Sequence, residues 1–436
     1  MDLNRKTAFE VILDVESNQS YSNLALNNFI EKNRPENAAF VRELVYGVLE
    51  NQMLIDFYLE QLVQSGLKKV KKPDLAILRM GVYQIMAMDS VPDYAAINES
   101  VVLARKFCRG RDKFINGVLR NFQRRQAELT DSLPNRETDP AKYLSVRYSA
   151  ARWLTDLWLS AYGFDKTEEL LAASNGRPLL CLRANLMKGS REELMTRLQE
   201  AGFQAEAGSL SGRSILITGK GTGILEHELF REGWFSVQDE ASTLAADTVN
   251  PKPGNLVVDV CAAPGGKTMA MAELMGSEGE VYAFDIYEHK LKLIENQAAR
   301  LGTDLVKTRC QDGRTLLAEL EGRADCVLAD VPCSGLGVIR RKPEIKLKSE
   351  AELDFAELVE RQKEILESAS RYVKPGGRLV YSTCTVNPDE NEEQVNRFLE
   401  GHSQFVLKSM RQLLPDRETD GFFIAEMEMV KQGGEN

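Results

Sequence analysis

Histidine is scarce in this chain of 436 residues, which has only His227, His289 and His402. None stands at a metal-ligand spacing from another, which argues against a metal site and a Ser-His-Asp triad. The seven cysteines, Cys108, Cys181, Cys261, Cys310, Cys326, Cys333 and Cys384, are odd in number and include no CxxC pair. Neither a disulfide framework nor a zinc ribbon is therefore expected. Long apolar runs are absent too: no stretch reaches the roughly 18 residues a membrane helix needs, and Met1 to Lys6 lead straight into an amphipathic pattern without a signal segment. The expectation is a soluble cytoplasmic monomer that uses neither membrane nor metal.

What is present is a long chain, 43% hydrophobic and without low-complexity segments, which suits two or three domains rather than one core. The net charge of -10 conceals an asymmetry. Residues 1 to 125 carry 18 Lys and Arg against 15 Asp and Glu, whereas the remainder carries 37 against 50. The basic excess concentrates in Arg105, Lys106, Arg109, Arg111, Lys113, Arg120, Arg124 and Arg125, which face only Asp112 in that stretch. A solvated helix face accounts for such a cluster, and a phosphate-binding surface accounts for it better.

From Lys6 to about Phe122 apolar residues recur at helical spacing: Ala8, Val11, Ile12, Val15; Phe40, Leu44, Val45, Val48; Leu75, Leu78, Val82, Ile85. Breaks at Asn18-Gln19, Asn33-Arg34-Pro35, Ser65-Gly66 and Val91-Pro92-Asp93 fall between these stretches, so an all-helical bundle is predicted. Arg79 to Gln84 and Asn116 to Arg120 resemble segments of the NusB antitermination family, whose small helical fold binds RNA. Leu129 to Asp139 reads as a linker, followed by a helix with Trp153 and Trp158 in core positions. A strand at 179–183, a helix at 191–201 and a strand at 214–218 suggest a small α/β domain of the RRM type.

Beyond about Ser236 short apolar runs alternate with helices: Leu256 to Val260, Val281 to Asp285, Cys326 to Asp330, Leu379 to Ser382. Strands this apolar are covered on both faces, which predicts a mainly parallel, doubly wound α/β domain of Rossmann type. The expected domains are thus 1–127 helical, 128–169 linker and connecting helix, 170–235 small α/β, and 236–436 Rossmann-like.

In such sheets ligands bind beyond the carboxyl ends of the strands. The first run enters Cys261-Ala262-Ala263-Pro264-Gly265-Gly266-Lys267-Thr268. Gly265 and Gly266 permit close backbone approach and a sharp turn into a helix whose amides favour an anion. A nucleotide P-loop is ruled out, because Cys261 occupies its first glycine position. An ordinary tight turn explains the glycines but not the acids that follow. Asp285, 19 residues after Gly266, suits a ribose diol; Asp312 suits an adenine amino group; Asp330 closes a further strand. Each alone is as consistent with a helix cap.

Cytosine C5 becomes nucleophilic only after a thiolate adds to C6, and two strand ends here carry cysteines, Cys333 and Cys384. Buried packing is cysteine's commonest role, but loops at a ligand-binding edge are poor places for it. The ordered set Asp259 to Thr268, Asp330-Val331-Pro332-Cys333-Ser334-Gly335 and Ser382-Thr383-Cys384-Thr385 resembles the RNA cytosine-5 methyltransferase family, and Ser236 to Ser242 is similar to the segment opening its catalytic domain. With its NusB-like front, the chain looks like the branch of that family that acts on 16S ribosomal RNA; Val331 stands where the family usually has Ala. The resemblance implies S-adenosyl-L-methionine as methyl donor, held by Cys261, Ala262, Ala263, Pro264, Gly265, Gly266, Lys267, Asp285, Asp312 and Asp330. It also implies Cys384 as nucleophile and Cys333 as an aid to product release. Asp330 is a further candidate to bond the cytosine N3 edge as a neutral acid. Arg152 and Arg340-Arg341-Lys342 are candidates to extend a phosphate track. A transfer RNA target, and an inactive RNA-binding assembly factor, are the competing readings.

Overall fold

The computed structural model describes residues 1–18, 21–416 and 418–431. The chain divides into two compact units, one of residues 1–176 with 339–352, the other of 177–338 with 353–436.

The first unit is helical: Leu3–Asn18, Ser22–Asn33, Ala38–Glu50, Gln52–Leu62, Lys72–Ala87, Asp93–Phe107, Asp112–Asp131, Pro140–Tyr148 and Arg152–Ser174, the last broken at Gly163. Spacing explains the packing, since Ala8, Val11, Ile12, Val15, Leu44, Val45, Val48, Leu78 and Val82 all enter one apolar core. The punctuation works as expected. Asn37 accepts the Phe40 N–H at 2.9 Å to start one helix, and Arg34 in the left-handed region ends another. The helix from Asp112 runs to Asp131, into the stretch read as a linker, because Leu129 is fully buried. Trp158 is core.

Residues 339–352 interrupt the second unit in sequence yet fold into the first. Their anchor is Lys346, wholly buried, which donates to the carbonyls of Glu50 (2.7 Å) and Tyr148 (2.8 Å) and to the side-chain oxygen of Asn175. Ser22 donates to Glu344 at 2.7 Å, and Trp153 donates to the Lys348 carbonyl at 2.8 Å. Burial pushes the Lys346 ammonium down, against the pull of Glu50. Lys346→Met removes this donor from all three oxygens, of which the Tyr148 carbonyl keeps the Asn175 amide at 3.3 Å, at a cost of about 3 kcal/mol. The midpoint of thermal unfolding, followed by circular dichroism, should fall by roughly 6–12 °C.

In the second unit a small antiparallel sheet has the order β2-β3-β1-β4, with β1 Leu180–Ala184, β2 Ala205–Ala207, β3 Ser214–Ile217 and β4 Phe235–Val237. Helix Arg191–Glu200, capped by Ser190, packs Leu194 and Leu198 against Leu182 and Ile215. Three-residue strands such as β2 and β4 are too short to show alternation.

The large sheet contains β5 Leu256–Asp259, β6 Glu280–Asp285, β7 Val306–Cys310, β8 Ala324–Asp330, β9 Val373–Thr383, β10 Phe405–Leu413 and β11 Phe422–Met429. Its order is β10-β11-β9-β8-β5-β6-β7, and the pairs from β7 through β9 are parallel. The last two strands join antiparallel, so the sheet is mixed rather than uniformly parallel. Val257 and Val258 feed different cores on opposite faces, which is why these strands read as continuous apolar runs. The winding reverses between β5 and β8, the switch point beside whose carboxyl edge such sheets bind ligands.

Candidate active site

Sequence predicts that the carboxyl ends of β5, β6, β7, β8 and β9 carry the chemistry, and the geometry there is specific. After β5, residues Cys261 to Gly265 turn the chain into helix Gly266–Met275. Gly265 has φ +102°, and a Cβ on it would stand 3.2 Å from Ile294, so only glycine fits the turn. Arg183 of β1, fully buried, grips both Glu273 oxygens (3.0 and 2.7 Å) and donates to the Gly266 carbonyl at 2.7 Å. It thereby fixes the small sheet to the helix that begins at the glycine loop. Nothing in the sequence marked this residue.

Behind the loop Asp259 accepts from the Thr268 hydroxyl at 2.7 Å, while its other oxygen is buried without a partner. Burial raises its carboxyl to about 7. The folded state thus holds a proton that the unfolded chain releases near pH 4, about 3.9 for a free Asp. That stability is fully present below the unfolded value and is lost as pH rises through the folded one. Asp259→Asn cannot ionise, so its melting temperature should fall less than the wild type's between roughly pH 5 and 8, a comparison differential scanning fluorimetry makes directly.

Asp285 ends β6 and accepts the Tyr287 N–H at 2.9 Å. Asp312, two residues past β7, is held by the Arg314 guanidinium at 2.7 Å, a contact that lowers its carboxyl. Asp330 ends β8. Its two oxygens accept from Lys267 Nζ at 2.7 Å and the Ser382 hydroxyl at 2.8 Å. Burial pushes the Cys261 thiol well up, and the acidic side chains of Asp259, Asp330, Asp285 and Asp312 each push it further, so this edge is acidic around the loop. An edge of this charge suits a ligand with an ammonium, a sulfonium, ribose hydroxyls and an adenine amino group. S-adenosylmethionine has all four.

Lys267 lies beneath this edge with its ammonium 5.0 Å from the Phe422 ring centroid. Burial disfavours its charge, but Asp330 more than offsets that, and the Cys384 sulfur adds to the upward shift. The cation thus bonds Asp330 and interacts electrostatically with Cys384.

The two cysteines meet. Cys333 follows β8 and Cys384 is the first residue after β9, and their sulfurs are 3.2 Å apart as free thiols, each partly exposed. The bond to Cys384, burial and the nearby Glu390 all raise the Cys333 thiol well above its ordinary value, which keeps its proton on. The loops are pinned to each other as well: Gly337 donates to the Cys384 carbonyl at 3.0 Å, and Ser334 and Thr385 hydroxyls are 2.8 Å apart. Other polar residues packed against these loops escaped the sequence reading, notably Glu390, Asn391 and Gln362. The signal for the first two was polar density, Asn387-Pro388-Asp389-Glu390-Asn391, directly after a cysteine-bearing strand; Gln362, on the helix Phe355–Ser370, had none.

Among the basic residues, Arg105, Lys106, Arg109, Lys113, Arg120 and Arg124 are exposed on the helical unit. Arg111 pairs with Asp74 at 3.0 Å and Arg125 with Glu128 at 2.6 Å. Arg340 is 3% exposed within the helical unit, so it offers no solvated charge to a phosphate track. Arg152 is engaged by Asp139 at 3.1 Å and Asp156 at 3.0 Å. Among the described residues no helix is long and apolar enough to cross a membrane, and no cluster of metal-ligating side chains occurs.

Comparison with known proteins agrees with this geometry. Residues 246–428 match the 16S rRNA methyltransferase RsmB/F family, residues 2–124 the NusB family, and residues 150–222 the ferredoxin-like domain of RsmF/B-like methyltransferases. The chain is 37% identical to a probable ribosomal RNA small subunit methyltransferase B of Bacillus subtilis, covering 97% of this chain and 98% of that one. It is 34% identical to the ribosomal RNA small subunit methyltransferase B of Vibrio cholerae, covering 98% and 97%. The crystal structure of PH0851 superposes with a TM-score of 0.80 at 30% identity, over 98% of each chain. The chain accordingly belongs to the RsmB/F family of 16S rRNA methyltransferases, which are S-adenosylmethionine-dependent enzymes.

Proposed function

We propose that the protein methylates C5 of one cytosine in 16S rRNA, the position-967 cytosine, through a covalent adduct between Cys384 and C6 of the base. The single observation that carries this reading is the pair of thiols 3.2 Å apart at the ends of two adjacent parallel strands. One cysteine suffices for packing. Two in contact, with the half-buried Lys267 acting electrostatically on one of them, match a reaction that needs one sulfur to attack and one proton donor to help it leave.

Cys261 to Lys267 would wrap the amino-acid end of the methyl donor, with Asp285 on the ribose and Asp312 on the adenine. When bound, S-adenosylmethionine supplies an electrophilic methyl group on its sulfonium. This chain's own groups do the rest. The target base leaves its stack so that C6 is open to attack. Cys384 adds as thiolate, favoured by the Lys267 cation. Negative charge then develops toward N3 of the base, which Asp330 faces. After methylation the C5 proton is lost, the C6–S bond breaks, and Cys333 offers its S–H to the departing sulfur.

The exposed arginines and lysines of the helical unit would hold RNA backbone, acting in a cytoplasmic monomer without membrane or metal. The test is to incubate the protein with a 16S rRNA transcript and labelled methyl donor, then map the label by nuclease digestion and mass spectrometry. One 5-methylcytosine at position 967 is expected. Label confined to transfer RNA, or no label in any RNA, overturns the reading.

A further inference from the structure

Glu390 has no part in the reaction described so far, yet the two reactive loops are built around it. It sits on the short turn Pro388–Glu390 after β9, with no exposed surface. A carboxylate in such a place is unfavourable unless donors satisfy it, and the donors it has are all neutral. One oxygen accepts from the Ser334 N–H (2.8 Å) and Gln362 Nε2 (2.9 Å), the other from the Ser334 hydroxyl (2.5 Å) and Asn387 Nδ2 (3.1 Å). Ser334 is the residue after Cys333. Gln362 also donates to the Pro332 carbonyl at 3.0 Å, so Cys333 is gripped from the residues on either side. Thr385, the residue after Cys384, is held mainly from elsewhere: Asn391 donates to its carbonyl at 3.1 Å and accepts the Thr383 hydroxyl. Two neighbouring side chains therefore divide the loops, Asn391 holding the Cys384 loop and Glu390 chiefly the Cys333 loop, with one longer contact from the Thr385 hydroxyl at 3.5 Å.

We propose that Glu390 is a positioning residue for product release: it holds Cys333 against Cys384 so that the Cys333 proton reaches the leaving sulfur. The proposal rests on the reading of the two cysteines given above. In release, water takes the C5 proton, the C5–H electron pair forms the C5–C6 double bond, and the C6–S pair departs on the Cys384 sulfur. The Cys333 S–H bond breaks as the Cys384 S–H bond forms, and the Cys333 thiolate regains a proton from water. The anionic carboxylate beside Cys333 also favours the protonated thiol that this step requires.

The experiment compares full-length wild type, Glu390→Ala, Glu390→Gln and Ser334→Ala, with Cys333→Ala and Cys384→Ala as references, on a 16S rRNA transcript. It measures kcat, KM for RNA and the denaturant-resistant protein–RNA adduct during turnover. In Glu390→Ala, KM should stay near the wild-type value while kcat falls about 100-fold, as a misplacement of the order of 1 Å produces. Adduct should rise toward the Cys333→Ala level, and Glu390→Gln, whose amide oxygen still accepts from Ser334, should recover part of kcat. Ser334→Ala, which removes one donor, should show a smaller rise. Loss of adduct together with turnover in a folded Glu390→Ala, or wild-type release in both Glu390→Ala and Ser334→Ala, overturns the proposal. Adduct in Cys384→Ala would instead overturn the assignment of the nucleophile, a result the Glu390 variants cannot produce.

Discussion

Cys384→Ala should abolish methyl transfer, by at least about 10⁴-fold in kcat, because in the proposed mechanism its thiolate makes the bond to C6 that turns C5 into a nucleophile. Binding of RNA and of methyl donor should change little, since the side chain is small and half-buried. Tritium incorporation into a 16S rRNA transcript measures the first quantity, and filter binding the second. Substantial residual turnover would require Cys333 to attack instead. Its raised, proton-retaining thiol makes it a poor nucleophile near neutral pH.

Lys267→Met has the second-largest effect. The methionine keeps an unbranched side chain near the Phe422 ring but removes the ammonium that bonds Asp330 at 2.7 Å and interacts electrostatically with Cys384. Loss of a preorganised charge at the reacting centre lowers kcat/KM by roughly 10²–10³-fold. A signature accompanies it: without a neighbouring cation the Cys384 thiolate forms at higher pH, so the rising limb of the pH–rate profile moves upward. The profile of kcat/KM at saturating methyl donor reads this shift. A large rate loss with the limb unmoved would mean that Lys267 acts only by holding Asp330.

The parts of the molecule that were legible in sequence are those where one residue type answers one physical demand. Gly265 must be glycine to turn at φ +102° against Ile294, and strands covered on both faces must be apolar throughout, as Leu256 to Asp259 and Ala324 to Asp330 are. Cys333 and Cys384 stood out because reactive thiols at strand ends are poor core fillers. Their contact did not stand out, since 51 residues separate them and only the parallel pairing of β8 with β9 brings them together. Glu390 was hidden for the opposite reason. An acid in a polar turn reads as solvated, and nothing local shows that Ser334 and Gln362, both distant in sequence, bury it.

The same limit applies to charge. Arg340-Arg341-Lys342 looked like a solvated or phosphate-facing run, but the chain there folds into the helical unit, where Arg340 and Lys346 are buried. Composition counts charges without knowing which are neutralised by carbonyls far away in sequence. The antiparallel pair β10–β11 was likewise missed: β10 is an edge strand whose exposed residues blur its pattern, and its partner β11 comes only after a turn.

The most direct test of the account is to express Cys333→Ala in cells, isolate the protein under denaturing conditions and sequence any RNA that remains attached. The account predicts a band shifted by 16S rRNA fragments crosslinked at one cytosine, and its disappearance when Cys384 is also replaced by alanine. A band that persists in the double variant, or none in Cys333→Ala, would contradict it.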